Sequence, residues 1–260
     1  MSYQKETAER PVRDDLVIGR NAVREALKSG RPADSLLVAR GEHTGSMGAL
    51  IAECRSHGIP VKEVDRKKLD YMCGHQHHQD VILITAAHTY ATVEDILENA
   101  RSRGEDPFLI LADGLEDPHN LGAIIRSAEA GGAHGVILPE RRSVSLSGVV
   151  GKTSAGALEY LPVARVKNLT ATIRSLQEQG VWVYAADMDG TSYRNAALDG
   201  PIALVIGAEG RGVSRLVKET CDGVVSIPMC GKINSLNASV AAGILIFSVR
   251  GRRDEHEQRG

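Results

Sequence analysis

The chain has 260 residues, 42% of them hydrophobic and 25% charged, with a formal net charge of −2. This composition is ordinary for a globular protein and excludes a wholly disordered chain or a domain that would bind nucleic acid by bulk charge. Aromatic residues, at 3%, are too few for a base-stacking sheet. No apolar run approaches the ~20 residues that cross a bilayer. Met1–Glu6 lacks the apolar core of a signal peptide. Cys54, Cys73, Cys221 and Cys230 form no C-x-x-C pair. A cytoplasmic protein with free thiols and no metal is the expectation.

Residues 1–14 are polar and patternless and are expected to form a disordered tail. An α/β segment follows over 15–90. Leu16–Ile18 reads as a strand, and Asn21 can cap a helix Ala22–Lys28 that stops at Gly30. Strand Ser35–Ala39, helix Met47–Ser56 and strand Pro60–Val64 come next, and Val81–Ala86 closes the set. Thr92–Arg103 reads as an amphipathic connecting helix within a linker, 91–106.

The second domain is expected over 107–253. Strands read at Phe108–Ala112, Gly135–Leu138, Val163–Val166, Val181–Ala186, Ile202–Ile206 and Val224–Ile227, mostly with helical patterns between them. Apolar strands alternating with helices imply a mostly parallel sheet covered on both faces. A last helix, Ser235–Val249, is apolar nearly all round, and 254–260 reads as a second disordered tail.

Ligands of such sheets bind beyond the carboxyl ends of the strands, so the informative loops are those after Ala112, Ala186, Ile206 and Ile227. Three loops there carry chemistry. The first is Asp113–Ala128, in which a Gly/Pro loop runs into a helix bearing Asn120 and Arg126. On spacing alone the residues favour an Asn cap and a surface Arg over a site. The second, Gly207–Ser214, is glycine-rich and lets backbone approach a ligand, but it is not G-x-G-x-x-G. The third, Ser226–Gly243, crowds hydroxyls and amides into the start of the last helix, whose dipole favours negative charge. Two temptations fail. Gly151-Lys152-Thr153 would need glycine at 146 to be a P-loop, and Leu146 stands there. Cys73–His78 matches no common zinc spacing.

In this order, and before a C-terminal helix, the three loops resemble the three motifs of the SpoU (TrmH-like) RNA 2′-O-ribose methyltransferases. Asn234-Ser235-Leu236-Asn237-Ala238-Ser239 beside Ile227-Pro228-Met229 is the most specific part. Ile18–Leu27 is similar to the substrate-binding domain of the bacterial 23S rRNA guanosine-2′-O-methyltransferase branch. Nearly the whole chain is covered. One departure lies at His78-Gln79-Asp80, where relatives often have His-Gln-Gly.

The resemblance implies a C-terminal trefoil knot of the SPOUT type, a small N-terminal domain like a ribosomal-protein RNA-binding fold, and a homodimer. It implies S-adenosylmethionine as cofactor and RNA, a 23S rRNA guanosine, as substrate in rRNA processing. Asn120, Arg126, Glu209, Ser235 and Asn237 carry over as the catalytic set. Ala186, Gly207, Ala208, Glu209, Gly210, Ile227, Met229 and Leu236 carry over as cofactor-binding. Arg20, Asn21 and Arg24 are the candidate RNA contacts, as a polar, cationic turn in the N-terminal segment. The alternatives are a tRNA ribose methyltransferase and a non-catalytic RNA-binding protein of the same fold; the second would be expected to lack Arg126, Glu209 or Asn237. A dehydrogenase is disfavoured by the missing dinucleotide fingerprint.

Overall fold

The computed structural model describes residues 15–30, 32–74, 76–85, 88–233 and 235–257. The chain divides into two compact units, Met1–Ala87 and His88–Gly260. The expected N-terminal tail, residues 258–260 of the C-terminal one, Ala86, and Asn234 in the third motif lie outside the described residues.

The first unit holds β1 (Leu16–Ile18), α1 (Arg20–Lys28), β2 (Ala33–Ala39), α2 (Gly45–Ser56), β3 (Val61–Val64), α3 (Arg66–Met72) and β4 (Val81–Thr85). The sheet order is β1-β4-β2-β3, with β4 antiparallel to β1 and β2, and β3 parallel to β2. Strand side chains alternate between faces. Leu36 and Val38 therefore pack with Val23, Leu27 and Leu50, while Leu37 and Ala39 pack with Leu69 and Cys73 on the other face. Helix α1 starts at Arg20, two residues earlier than the sequence suggests. Gly19, at φ 89°, makes the turn, so Asn21 lies inside the helix and is not its cap. Helix α3 escaped sequence reading because Leu69 is its one buried anchor, too little for a periodic signal.

The second unit begins earlier than the expected boundary. Ala91 pairs with Ala164, and α4 (Val93–Arg103) buries Ile96, Leu97 and Ala100 against the sheet. The reading of 91–106 as a linker is therefore corrected: its apolar face covers the core. Thr92 and Asp95 form a reciprocal capping box that fixes the helix start.

The remaining elements are β5 (Phe108–Asp113), α5 (Pro118–Ala130), β6 (Gly135–Pro139), α6 (Gly148–Thr153), β7 (Val163–Val166), α7 (Leu169–Glu178), β8 (Trp182–Ser192), β9 (Ile202–Gly207), α8 (Arg215–Thr220), β10 (Gly223–Ser226) and α9 (Ala238–Glu257). The sheet order is β10-β8-β9-β5-β6-β7, and every pairing is parallel. Central strands are buried on both sides. Phe108, Ile110 and Ala112 face α5 and α9, while Leu109 and Leu111 face α4 and α7.

Helix α9 starts at Ala238, three residues later than the expected Ser235, and extends to Glu257, so residues 254–257 are helix and not tail. Its polar end is engaged. Arg250 pairs with Asp254. Arg252 donates to the carbonyls of Tyr193 and Arg194, and Arg253 to those of Asp106, Pro107 and Gly200. One stripe, Ala242, Leu245, Ile246 and Val249, is fully buried, and each large member contributes ~1.5–3 kcal/mol. The other leaves Val240 51% and Phe247 53% exposed.

Candidate active site

The parallel sheet brings all its strand carboxyl ends to one edge. Asp113, at the end of β5, lies in register with Gly207 at the end of β9. This neighbourhood joins the first two motif loops. Asp113 Oδ2 accepts a hydrogen bond from Ser214 N at 2.7 Å, fixing the exit of the second loop. That loop folds back on itself, with Gly212 N donating to Ala208 O at 2.9 Å. A Cβ on Gly207 would sit 2.1 Å from the carbonyl carbon of Gly212, so only glycine fits there.

Helix α5 is capped by Asp117, whose side chain accepts from His119 N. Asn120 is thereby inside the first turn and not spent as a cap. It is buried, 6% exposed. Its Nδ2 donates to Glu209 Oε1 at 3.1 Å, and its Oδ1 accepts from Asn237 Nδ2 at 2.9 Å. Asn237 Nδ2 also donates to Glu209 Oε1. Asn237 meanwhile caps α9, its Oδ1 accepting from Ser239 N at 3.0 Å and Val240 N at 3.3 Å. One residue from each motif thus enters a single network, and Glu209 Oε2 has no partner among the described residues.

Beside this network lies a cavity of about 720 Å³ including its open mouth. All eight residues named as cofactor-binding line it, as do Ser235 of the catalytic set and Ile206, Val225, Ala241 and Leu245 on the apolar side. Asp187, Met188 and Gly212 also line it and were missed. The signal available for two of them was Asp187-Met188-Asp189-Gly190, a polar turn directly after an apolar strand. Strand β8 was expected to end at Ala186, and it runs on to Ser192.

Arg126 is not among the lining residues. It is exposed on α5, roughly 9 Å along the helix from Asn120, and makes no hydrogen bond or ion pair with another described residue. In the first unit, Arg20 donates to Ser46 Oγ and Gln79 O, and Arg24 to Ser46 O, which brings the two guanidinium groups together at the start of α2. Asn21 is exposed. Around the cavity, Lys218 raises its own affinity for a proton through hydrogen bonds to Asp189 and Asp187, and Asp189 is held below the usual carboxylate range by Lys218. Burial pushes the nearby Cys221 thiol up to about 12, which leaves it inert. Among the described residues no cluster of His, Cys, Asp and Glu could hold a metal.

Residues 107–247 match the model of the SpoU rRNA Methylase family, and residues 16–91 match that of the RNA 2′-O ribose methyltransferase substrate-binding domain. The chain is 47% identical over 241 residues to YacO of Bacillus subtilis strain 168, whose name places it among TrmH family tRNA/rRNA methyltransferases; 92% of this chain and 96% of that one are covered. A similarly named protein of Staphylococcus haemolyticus is 41% identical over 243 residues, covering 93% and 97%. Among solved structures, the SpoU methyltransferase AviRb of Streptomyces viridochromogenes, in complex with AdoMet, is 26% identical with a TM-score of 0.59, covering 92% and 90%. An AdoMet-bound rRNA methyltransferase of Sinorhizobium meliloti is 27% identical with a TM-score of 0.56, covering 91% and 87%.

Proposed function

The chain belongs to the SpoU rRNA methylase family, and from that membership we propose that it transfers a methyl group from S-adenosylmethionine to a ribose 2′-hydroxyl of RNA, a guanosine of 23S rRNA. The observation that carries this reading is the cavity at the strand ends, bordered by the Asn120–Glu209–Asn237 network. Its donor set fits the cofactor. Ile206, Val225, Ile227 and Leu245 offer an apolar slot for a base, the Gly207–Gly210 backbone offers polar groups, and Glu209 offers a carboxylate to a cation.

Bound there, the cofactor supplies a methyl carbon activated by a sulfonium. The protein's part is alignment, which in the best intramolecular models is worth roughly 7–11 kcal/mol. Asn120 and Asn237 hold Glu209 in one orientation through Oε1, leaving Oε2 to bind a hydroxyl. Ser235, at the cavity edge, adds a second hydroxyl-binding group. Arg126 is permanently charged, so its role is to grip the target phosphate and stabilise the developing alkoxide. A substrate phosphate or solvent then takes the proton.

Residues 15–90 serve as the RNA substrate-binding domain in this reading, with Arg20, Asn21 and Arg24 on its contact surface. The second unit, from His88 through the end of α9, is the transferase, with the family's trefoil knot. The active form is a homodimer. Val240, Ile244 and Phe247 form an apolar stripe on α9 that the chain itself buries only in part, and a stripe of this kind calls for a partner. Ser127, next to Arg126 on α5, lies against Gly243 of α9. A cytoplasmic location goes with an rRNA target, and among the described residues no helix is long and apolar enough to cross a membrane.

Calorimetry tests the cofactor: S-adenosylmethionine should bind and NAD should not. Mapping ribose methyls in the rRNA and tRNA of a deletion strain tests the target. A missing methyl in 23S rRNA supports the proposal, and one missing only from tRNA replaces it with the tRNA reading. An unchanged map in both, with cofactor binding absent, points to the non-catalytic alternative.

A further inference from the structure

The β8–β10 ladder breaks beside the cavity. Val224 pairs with Ala185, but Val225 pairs with Thr191, so residues 186–190 leave the ladder as a bulge. Ala186, Asp187 and Met188 of that bulge form one wall of the cavity. The chain rejoins the ladder at Thr191, directly after Gly190, where a Cβ would lie 2.5 Å from the Val224 carbonyl and where Ser226 Oγ donates to the backbone oxygen at 2.9 Å. That anchors one end only.

The rest of the bulge is held from another element. Lys218, on α8, donates from Nζ to Asp187 Oδ2 at 2.9 Å and to Asp189 Oδ1 at 2.5 Å. The two carboxylates flank Met188, which is 64% exposed. Without the ammonium they would repel each other across one residue. The Lys218 and Asp187 side chains are only 24% and 23% exposed, so salt screens this contact less than a surface pair. Helix α8 follows directly on the glycine loop that forms the facing wall, whose exit Asp113 ties down at Ser214. Lys218 therefore connects two walls of the same cavity.

We propose that Lys218 is a positioning residue for the cofactor, clamping Asp187 and Asp189 so that the 186–190 bulge is a preformed wall. The inference rests on the cavity being the S-adenosylmethionine site. Lys218 touches neither Asn120, Glu209 nor Asn237, so its loss raises the ordering cost of binding while the transfer step at saturation is spared.

The test compares Lys218→Ala, Lys218→Arg and Asp189→Asn with the wild type. Hydrogen exchange is measured on the ligand-free proteins and S-adenosylmethionine affinity by calorimetry. Lys218→Ala should speed exchange of amides 186–190 selectively and raise Kd on the order of tenfold, with kcat at saturating cofactor within about twofold. Lys218→Arg, which can still bridge both carboxylates, should restore most of the affinity. Asp189→Asn removes one arm of the clamp and should give an intermediate Kd, and it decides the matter if Lys218→Ala fails to fold. Unchanged exchange in the bulge, or a Kd within twofold of wild type in a folded Lys218→Ala protein, overturns the clamp. If the wild type itself does not bind S-adenosylmethionine, the cofactor reading falls and takes this inference with it, whereas a tight wild type with an indifferent variant removes the clamp alone.

Discussion

Replacing Asn237 by alanine removes two kinds of contact at once, and their sizes can be worked from the geometry. The first is the cap on α9. Losing the acceptor for Ser239 N and Val240 N costs ~0.5–2 kcal/mol, and because Asn237 is exposed about 1 is the apt value. The second is the donor to Asn120 Oδ1. Asn120 is buried, so its orphaned carbonyl costs ~1–3 kcal/mol. Together the second unit should lose about 2–4 kcal/mol. At ~2–4 °C per kcal/mol for a unit of this size, the shift is easily seen in a melting curve. Turnover should fall ~10²-fold or more, since Glu209 loses one of the two amides that orient it. Asn237→Asp separates the two effects. It keeps the capping acceptor but places a like charge against Glu209, so it should retain more stability than alanine yet be as inactive. Urea denaturation with methyl-transfer kinetics on both variants is the assay. A loss below 0.5 kcal/mol for alanine, or an active aspartate variant, would refute the network's role.

Other outcomes follow from single sites. Arg126→Ala should lower turnover by ~10²–10³ or more with cofactor affinity within a few-fold, because Arg126 lies outside the cavity lining; near wild-type turnover would make it a surface residue. Phe247→Asp should convert a dimer to monomer in sedimentation and reduce activity with it, whereas a charge at the fully buried Ile246 would test folding instead; a fully active monomeric wild type contradicts the dimer. Asp80→Gly should raise the unfolding free energy measured in urea slightly, by ~0.5 kcal/mol, since Asp80 is held at φ 64° where glycine is unstrained and its pairing with the exposed Arg66 is worth little; a clear loss of stability would show that the aspartate side chain matters. His134 is fully buried, accepting from Phe108 N through Nδ1. Burial lowers its pKa below the ordinary 6.5, with Arg103 and Arg253 adding to the effect and Glu105 opposing it. The unfolded chain therefore binds the proton more readily, so this contribution is complete above about pH 6.5 and is lost as pH falls below it. Thermal melts at pH 7.5 and 5.5 should show a flatter dependence for His134→Gln than for the wild type, and equal slopes would remove His134 as the cause.

Much of this protein was legible in the residues themselves. Parallel strands buried on both faces must be continuous apolar runs, so Phe108–Ala112 and Ile202–Ile206 stood out. Glycines, prolines and amides clustered after them marked the loops, because only such residues suit tight turns and helix starts beside a ligand. What the residues could not state is which of those loops meet. Asn120, Glu209 and Asn237 are far apart in the chain, and they converge only because β9 inserts beside β5 and sets Gly207 against Asp113. The same limit hid the bulge at 186–190, since a register break belongs to a pair of strands and not to either one. It also disguised residues 254–257, which continue α9, as a tail, because the helix end is held by the arginines just before them. Arg252 and Arg253 are ordinary surface residues until the fold supplies carbonyls at Tyr193, Arg194, Asp106, Pro107 and Gly200 to receive them. Local pattern determines elements, because helices and strands satisfy their backbones over short spans. Partners across the sheet are set by topology, which only the folded chain decides.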